Sequence, residues 1–170
     1  VSDNTSYYED IGKNSYRSAG EESHGGLRTK GYFKKSYPNK PLVTVITIVF
    51  NGDQYLEETI NSVIHQTYDN VEYIVIDGGS TDGTLQIIKK YEDKIDYWLS
   101  EKDRGIYDAW NKGLKLATGD IIGFANADDF YDLNAIEIVV PSYAANKFQL
   151  TYGVTQFIRD EACAGVNNRS

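Results

Sequence analysis

The sequence contains no methionine, a single cysteine (Cys163) and two histidines (His24 and His65) in 170 residues. One thiol closes no internal disulfide, and with two imidazoles it builds no Cys/His zinc cluster, so any metal here is held mainly by oxygen. A chain without methionine that opens on Val1 is expected to be a processed or trimmed product. No apolar run approaches the ~20 residues of a membrane-spanning helix. Positive charge is also scarce: 17 Lys and Arg stand against 25 Asp and Glu, a net charge of −8. That balance argues against nucleic acid as a partner, because phosphate-backbone binding depends on clustered cations. With 41% hydrophobic and 25% charged residues, the composition is that of a globular protein. Its length suits one domain with a sizeable core.

Residues 1–41 are rich in Ser, Gly, Tyr and Asn, show no sustained apolar period, and carry seven basic against five acidic side chains. They read as an irregular N-terminal arm. Within it Arg28, Lys30, Lys34 and Lys35 could attract an anionic lipid surface or a pyrophosphate; a solvated tail is the plainer reading. Residues 42–170 then form the folded body, with ten basic and twenty acidic side chains.

From Leu42 the pattern becomes regular. Leu42–Phe50, Val71–Ile76, Ile95–Leu99 and Ile121–Ala125 are short apolar runs whose starts lie 24 to 29 residues apart, the spacing of strands joined by crossover helices. The first intervening helix would bury Leu56, Ile60, Val63 and Ile64. The second follows Thr81 and Asp82, either able to cap it, and turns Leu85, Ile88 and Tyr91 inward. The third carries Ile106, Ala109, Trp110, Gly113, Leu114 and Ala117 at the 3.6-residue period and stops near Gly119. A helix over 133–140 and a strand over 149–153 complete an α/β fold with a mainly parallel sheet.

Ligands of such sheets bind beyond the carboxyl ends of the strands. There the sequence places Phe50-Asn51-Gly52, Asp77-Gly78-Gly79-Ser80 and Asn126-Ala127-Asp128-Asp129. Asp77 could accept a hydrogen bond from a ribose hydroxyl or a uracil imide, or could only stabilise a turn with Ser80. Phe50 could stack on a base or belong to the core. Asp128 and Asp129 repel each other beside an apolar run, a cost that a hard divalent cation removes; a helix N-terminus also favours them. The Gly-rich nucleotide loops are absent, since Asp77 to Gly83 has neither the dinucleotide glycine spacing nor a phosphate-loop lysine.

These segments, from Val45-Ile46-Thr47-Ile48-Val49-Phe50-Asn51 through Val75 to Thr84, Gly105 to Asp120, and Asn126-Ala127-Asp128-Asp129, resemble in order and spacing the family-two glycosyltransferases, which have the GT-A fold. Gly26 to Gly31 and Gly105 to Ala109 look like the bacterial subgroup that builds exopolysaccharide, capsule or O-antigen chains. The resemblance implies a nucleotide-diphosphate sugar donor, a UDP-sugar first among them, and a glycan or lipid-linked acceptor. It implies a cytoplasmic protein, which could lie peripherally at the inner membrane face through the basic arm. Thr47, Val49, Phe50, Asn51, Asp77, Gly78 and Asn126 would frame the nucleotide, with Asp77 on the base. Asp128 would hold Mg²⁺ or Mn²⁺.

Asn126 replaces the first Asp of the family's Asp-x-Asp motif and is a weaker ligand, leaving Asp129 or a water to help. Trp110 stands where many members carry an Arg. The implied chemistry is a single inverting displacement. Its base lies downstream of the metal motif in the family, and neither Asp160 nor Glu161 is assigned that role. The chain would thus hold the donor half of the fold. Two other readings remain open: a nucleotide-sugar-binding domain without catalysis, and a sugar-nucleotide pyrophosphorylase, which would want a basic loop where Asn51-Gly52-Asp53 stands.

Overall fold

The computed structural model describes residues 23–146. Two long strands, β2 (Val43–Val49) and β3 (Val71–Asp77), pair in parallel with Val43 opposite Val71 and Val49 opposite Asp77, and every residue of both is buried. Strand β4 (Tyr97–Ser100) extends the sheet in parallel from β3, and β5 (Ile121–Phe124) does so from β2. Strand β1 (Ser23–Gly25) pairs antiparallel with β4, giving the order β1-β4-β3-β2-β5. Helices α1 (Leu56–Ile64), α2 (Thr84–Lys90) and α3 (Ile106–Leu116) connect the parallel strands, and α4 (Ala135–Asn146) follows β5. The architecture is the expected α/β one; the strand expected over 149–153 lies outside the described residues.

Side-chain alternation divides the core into two layers. Val43, Val45, Val49, Val71, Tyr73 and Val75 pack with Leu56, Ile60 and Val63 of α1, Ile88 of α2, and Ile136 and Val140 of α4. Ile46, Ile48, Ile74 and Ile76 meet Ala109 and Leu116 of α3 on the other face. Helix α3 approaches closely because residue 113 is glycine: a β-carbon there would lie 2.5 Å from Ile46 Cγ2. Its inward stripe is narrower than its sequence period suggests. Ala109, Gly113 and Leu116 are buried, whereas Ile106 and Leu114 are exposed. Ile106 lines the cleft at the carboxyl edge of the sheet, while Ile122 and Phe124 of β5 lie on the same face as Ile46 and stay partly exposed, with the Phe124 ring 5.7 Å from that of Trp110 on α3.

The N-terminal arm is the main correction. From Ser23 onward it is part of the fold: β1 adds a strand, a 3-10 turn follows over Leu27–Lys30, and Leu27 and Arg28 donate backbone N–H groups to Ile95 O and Asp96 O at 3.0 and 2.9 Å. What draws it in is buried charge. Glu72 is 1% exposed and Asp96 2% exposed, both near the amino end of the sheet, where an unpaired carboxylate is costly. Arg28 Nη2 forms an ion pair with Glu72 Oε1, while its Nη1 donates to Leu116 O at 2.8 Å. Thr44 Oγ1 donates to Glu72 Oε2 at 2.6 Å, and Thr118 donates to the same carboxylate through its N–H at 2.9 Å and its hydroxyl at 2.5 Å. Lys34 Nζ reaches Asp96 Oδ2 at 2.8 Å. Arg28 is therefore buried and Lys34 half-buried, both paired at the end of the sheet away from the strand carboxyl termini; neither belongs to a solvated tail or is free to meet a pyrophosphate or a lipid. Residues 1–22 lie outside the described residues.

Burial raises the Glu72 pKa, but the Arg28 charge and the hydrogen bonds from Thr118 and Thr44 outweigh it and hold the carboxyl below its ordinary 4.5. Its stabilising contribution is thus complete above pH 4.5 and is lost as pH falls through the lowered folded-state value. In a pH series of denaturant melts, Glu72→Gln should flatten this part of the acid limb. Arg28→Ala, which strands the carboxylate, should cost about 3–5 kcal/mol at neutral pH.

Candidate functional site

The carboxyl ends of β2, β3, β4 and β5 open into one cleft of about 810 Å³. Its β2 side is made by Ile48 to Gly52 and by Tyr55, its β5 side by Asn126, Ala127 and Asp128, and its β3 and β4 side by Gly78, Lys102 and Asp103, with Gly105, Ile106 and Ala109 of α3 as a wall. Val49, Phe50, Asn51, Gly78, Asn126 and Asp128, all expected from the sequence, are brought together here.

The β2 and β3 ends are tied to each other through side chains. Asn51 holds a left-handed backbone (φ 50°), which asparagine tolerates better than most residues. Its N–H donates to Ser80 Oγ at 2.7 Å, and its Oδ1 accepts from Thr81 N at 2.9 Å. Gly52 N–H donates to Thr84 Oγ1 at 2.9 Å. Phe50, 64% exposed, is therefore a cleft-wall aromatic and not a core residue.

At the β5 end, Asn126 Nδ2 donates to Asp129 Oδ2 at 3.0 Å, and Asp129 N–H donates to Asn126 O at 2.9 Å. The Thr59 hydroxyl of α1 donates to Asp129 O at 2.7 Å and fixes the turn from below. Asn126 Oδ1 is buried without a hydrogen-bond partner, and the exposed Asp128 lines the cleft beside it. No group of three or more His, Cys, Asp or Glu side chains is placed to enclose a metal among the described residues. The donors present, one carboxylate and one unpartnered amide oxygen, are hard oxygens. They fit a small divalent cation that takes its other ligands from water and a bound phosphate. Asp129 does not line the cleft; its carboxylate is engaged in orienting Asn126.

Thr47 and Asp77 depart from the expected arrangement. Thr47 points into the core, its hydroxyl 2.9 Å from Tyr73 Oη. Asp77, 0% exposed, lies beneath the cleft floor: Ser100 Oγ donates to its Oδ2 at 2.6 Å and Ser80 N–H approaches both oxygens at 3.2 Å. Both belong to the sheet face that packs on α1 and α2, because alternation along β2 and β3 sends their side chains there. Lys102 and Asp103 were not among the expected site residues. The signal was available, since they follow the Ile95–Leu99 run just as Asn126 follows the next one. Lys102 is the one cation among the described cleft-lining residues. The tail acids Asp160 and Glu161 lie outside the described residues.

A family model described as glycosyl transferase family 2 matches residues 44–163. A putative teichuronic acid biosynthesis glycosyltransferase, TuaG of Bacillus subtilis, is 38% identical over 101 residues, covering 58% of this chain and 40% of that protein. Among solved structures, S. aureus TarS in complex with UDP-GlcNAc superposes with a TM-score of 0.58 at 28% identity, covering 62% of this chain and 32% of that one. A Pyrobaculum calidifontis mannosyltransferase in complex with GDP-Man and Mn²⁺ gives 0.51 at 29% identity, covering 62% and 33%. The chain spans less than half the length of the curated relatives it matches.

The two acidic strand-end positions differ in kind. Asp77→Ala would leave the Ser80 and Ser100 groups unpaired in the interior and should cost about 1–3 kcal/mol in thermal or urea unfolding. Removing the exposed Asp128 carboxylate should change the stability of the ligand-free protein by no more than about 0.5 kcal/mol.

Proposed function

The chain belongs to glycosyl transferase family 2, and from that premise we propose that it is the donor-binding part of an inverting enzyme. The enzyme moves a sugar from a nucleotide-diphosphate donor, a UDP-sugar, to a glycan or lipid-linked acceptor in bacterial surface polysaccharide synthesis. The observation that carries this reading is the convergence of Phe50, Asn51, Gly78, Asn126 and Asp128 on one cleft at the carboxyl edge of the sheet. The similarity to TuaG, a putative teichuronic acid biosynthesis glycosyltransferase, supports the surface-polysaccharide assignment, and that to TarS in complex with UDP-GlcNAc supports the donor class.

In this reading Phe50 offers a face to the base or ribose, and the Asn51 loop, braced by Ser80 and Thr81, forms the floor beneath the nucleoside. Asp128 and the unpartnered Asn126 Oδ1 would hold Mg²⁺ or Mn²⁺ against the donor diphosphate. When bound, such an ion offsets the charge that grows on the leaving nucleoside diphosphate. Asp129 keeps the Asn126 amide turned so that its oxygen, not its nitrogen, is offered. The acceptor hydroxyl loses its proton to a base and attacks the anomeric carbon opposite the leaving group. The sugar–phosphate bond breaks, and the configuration inverts. A cytoplasmic place at the inner membrane face belongs to the same proposal. Of Arg28, Lys30, Lys34 and Lys35, Lys30 and Lys35 remain exposed for such contact. No helix among the described residues is long and apolar enough to cross a membrane.

UDP at about 100 times its Kd should stabilise the chain by about 2.7 kcal/mol, read as a rise in Tm, when Mn²⁺ or Mg²⁺ is present. Equal stabilisation in excess chelator would sink the metal assignment. Asp128→Ala should remove the metal-dependent increment, and a variant that responds as the parent does would move the site elsewhere.

A further inference from the structure

We propose that Asp103 is the residue that reads the donor base, accepting the imide N–H of uracil while Lys102 donates to a neighbouring ring carbonyl; the assignment rests on the donor-site reading above. Asp128 follows β5 and Asp103 follows β4, at opposite ends of the row β4-β3-β2-β5. Three strand spacings separate those ends, about 14 Å, a span suited to an extended nucleoside diphosphate. With its phosphates at the Asp128 end, the base falls at the Gly78, Lys102 and Asp103 end.

Two carboxylates compete for the base there, and their surroundings differ. Asp77 is wholly buried with its oxygens facing Ser80 and Ser100, so it organises the strand ends from beneath. Asp103 lines the cleft itself. Its Oδ1 accepts from Gly105 N–H at 2.8 Å, which fixes the side chain at the entrance to α3. Its Oδ2 projects over Gly78, where a β-carbon would come within 2.5 Å of it. Glycine at 78 thus leaves this carboxylate room to lie across the end of β3. Lys102, adjacent in sequence and also in the cleft wall, supplies a donor beside the acceptor.

The paired edge distinguishes pyrimidines. Uracil presents a ring N–H between two carbonyls, which suits a carboxylate beside an ammonium. Cytosine presents a ring nitrogen lone pair at the same position, facing the carboxylate with no proton between them. Sites built around a polar contact discriminate strongly against analogues that cannot make it. UDP and CDP share ribose, diphosphate and metal requirement, so their ratio isolates the base.

The test is calorimetric titration of the full chain with UDP and with CDP, each in the presence of Mn²⁺. The parent should bind UDP at least about tenfold more tightly than CDP. Asp103→Asn keeps an oxygen for Gly105 N–H and puts an amide donor in place of the second carboxylate oxygen. It should weaken UDP at least about tenfold without weakening CDP, bringing the ratio to near one or below. A parent that binds both alike, or an Asp103→Asn variant that keeps the parent ratio, overturns the assignment. Asp128→Ala should weaken both nucleotides alike and leave the ratio unchanged; a changed ratio would place the base at the Asp128 end and overturn it too. Failure of the parent to bind either nucleotide overturns the donor-site reading itself, and the Asp103 assignment with it.

Discussion

The Glu72 carboxylate sits on a strand flanked on both sides and covered on both faces, a place where an anion survives only with partners. Every group that meets it comes from a different part of the chain: Thr44 from the neighbouring strand, Thr118 from the segment after α3, and Arg28 from the N-terminal turn. Arg28 also holds Leu116 O, so the same guanidinium secures the end of α3. Gly119 donates its N–H to Thr44 Oγ1 at 2.8 Å, and a β-carbon there would lie 2.7 Å from that same oxygen. One buried charge therefore sets where the N-terminal turn docks, where α3 ends and how β5 enters the sheet.

That network occupies the amino end of the sheet, and the cleft occupies the other. The separation has a physical logic. A parallel sheet sends each chain from its carboxyl edge into a connection, so four strand ends expose loops side by side at that edge. The carboxylates at the opposite end are buried and internally paired, and at the cleft end much of the support comes from Asp77 and Asp129, two acids that do not themselves line the cleft. Those two carry out the local fixing, one beneath the β3 end and one beside Asn126. The cleft is thus a set of exposed side chains supported by an inner tier of hydrogen bonds. Such support is what holds binding groups in place before a ligand arrives.

The strands and helices were legible in the sequence because apolar periodicity reports burial directly. Val43 to Val49 and Val71 to Asp77 are mainly apolar, broken only by Thr44, Thr47, Glu72 and the terminal Asp77, because both of their faces are covered. The motif residues of the cleft were legible as well, since strand-end acids and amides in an α/β pattern converge whatever the details of packing. Three things were not. The arm was misread because its contribution is not apolar: β1 adds backbone hydrogen bonds, and Arg28 and Lys34 add charge to carboxylates that only the sheet brings near. The exposure of Ile106 and Leu114 depended on which side of α3 the sheet covers and on the cleft that Ile106 lines. The facing of Asp77 depended on strand register parity, which decides between cleft and core.

The sequence by itself determined the fold class, the family and the edge on which the ligand groups gather, because these follow from patterns local to each run and from their order along the chain. The tertiary structure decided which of those groups face the cleft. Asp77 is the last residue of β3 and Asp103 lies in the loop beyond β4, and both are acids at the carboxyl edge of the sheet. Only the side-chain parity of β3, the space left by Gly78 and the backbone bond from Gly105 send one beneath the floor and the other into the wall. The same holds for Arg28, a basic residue in a polar segment until the folded sheet places Glu72 beside it.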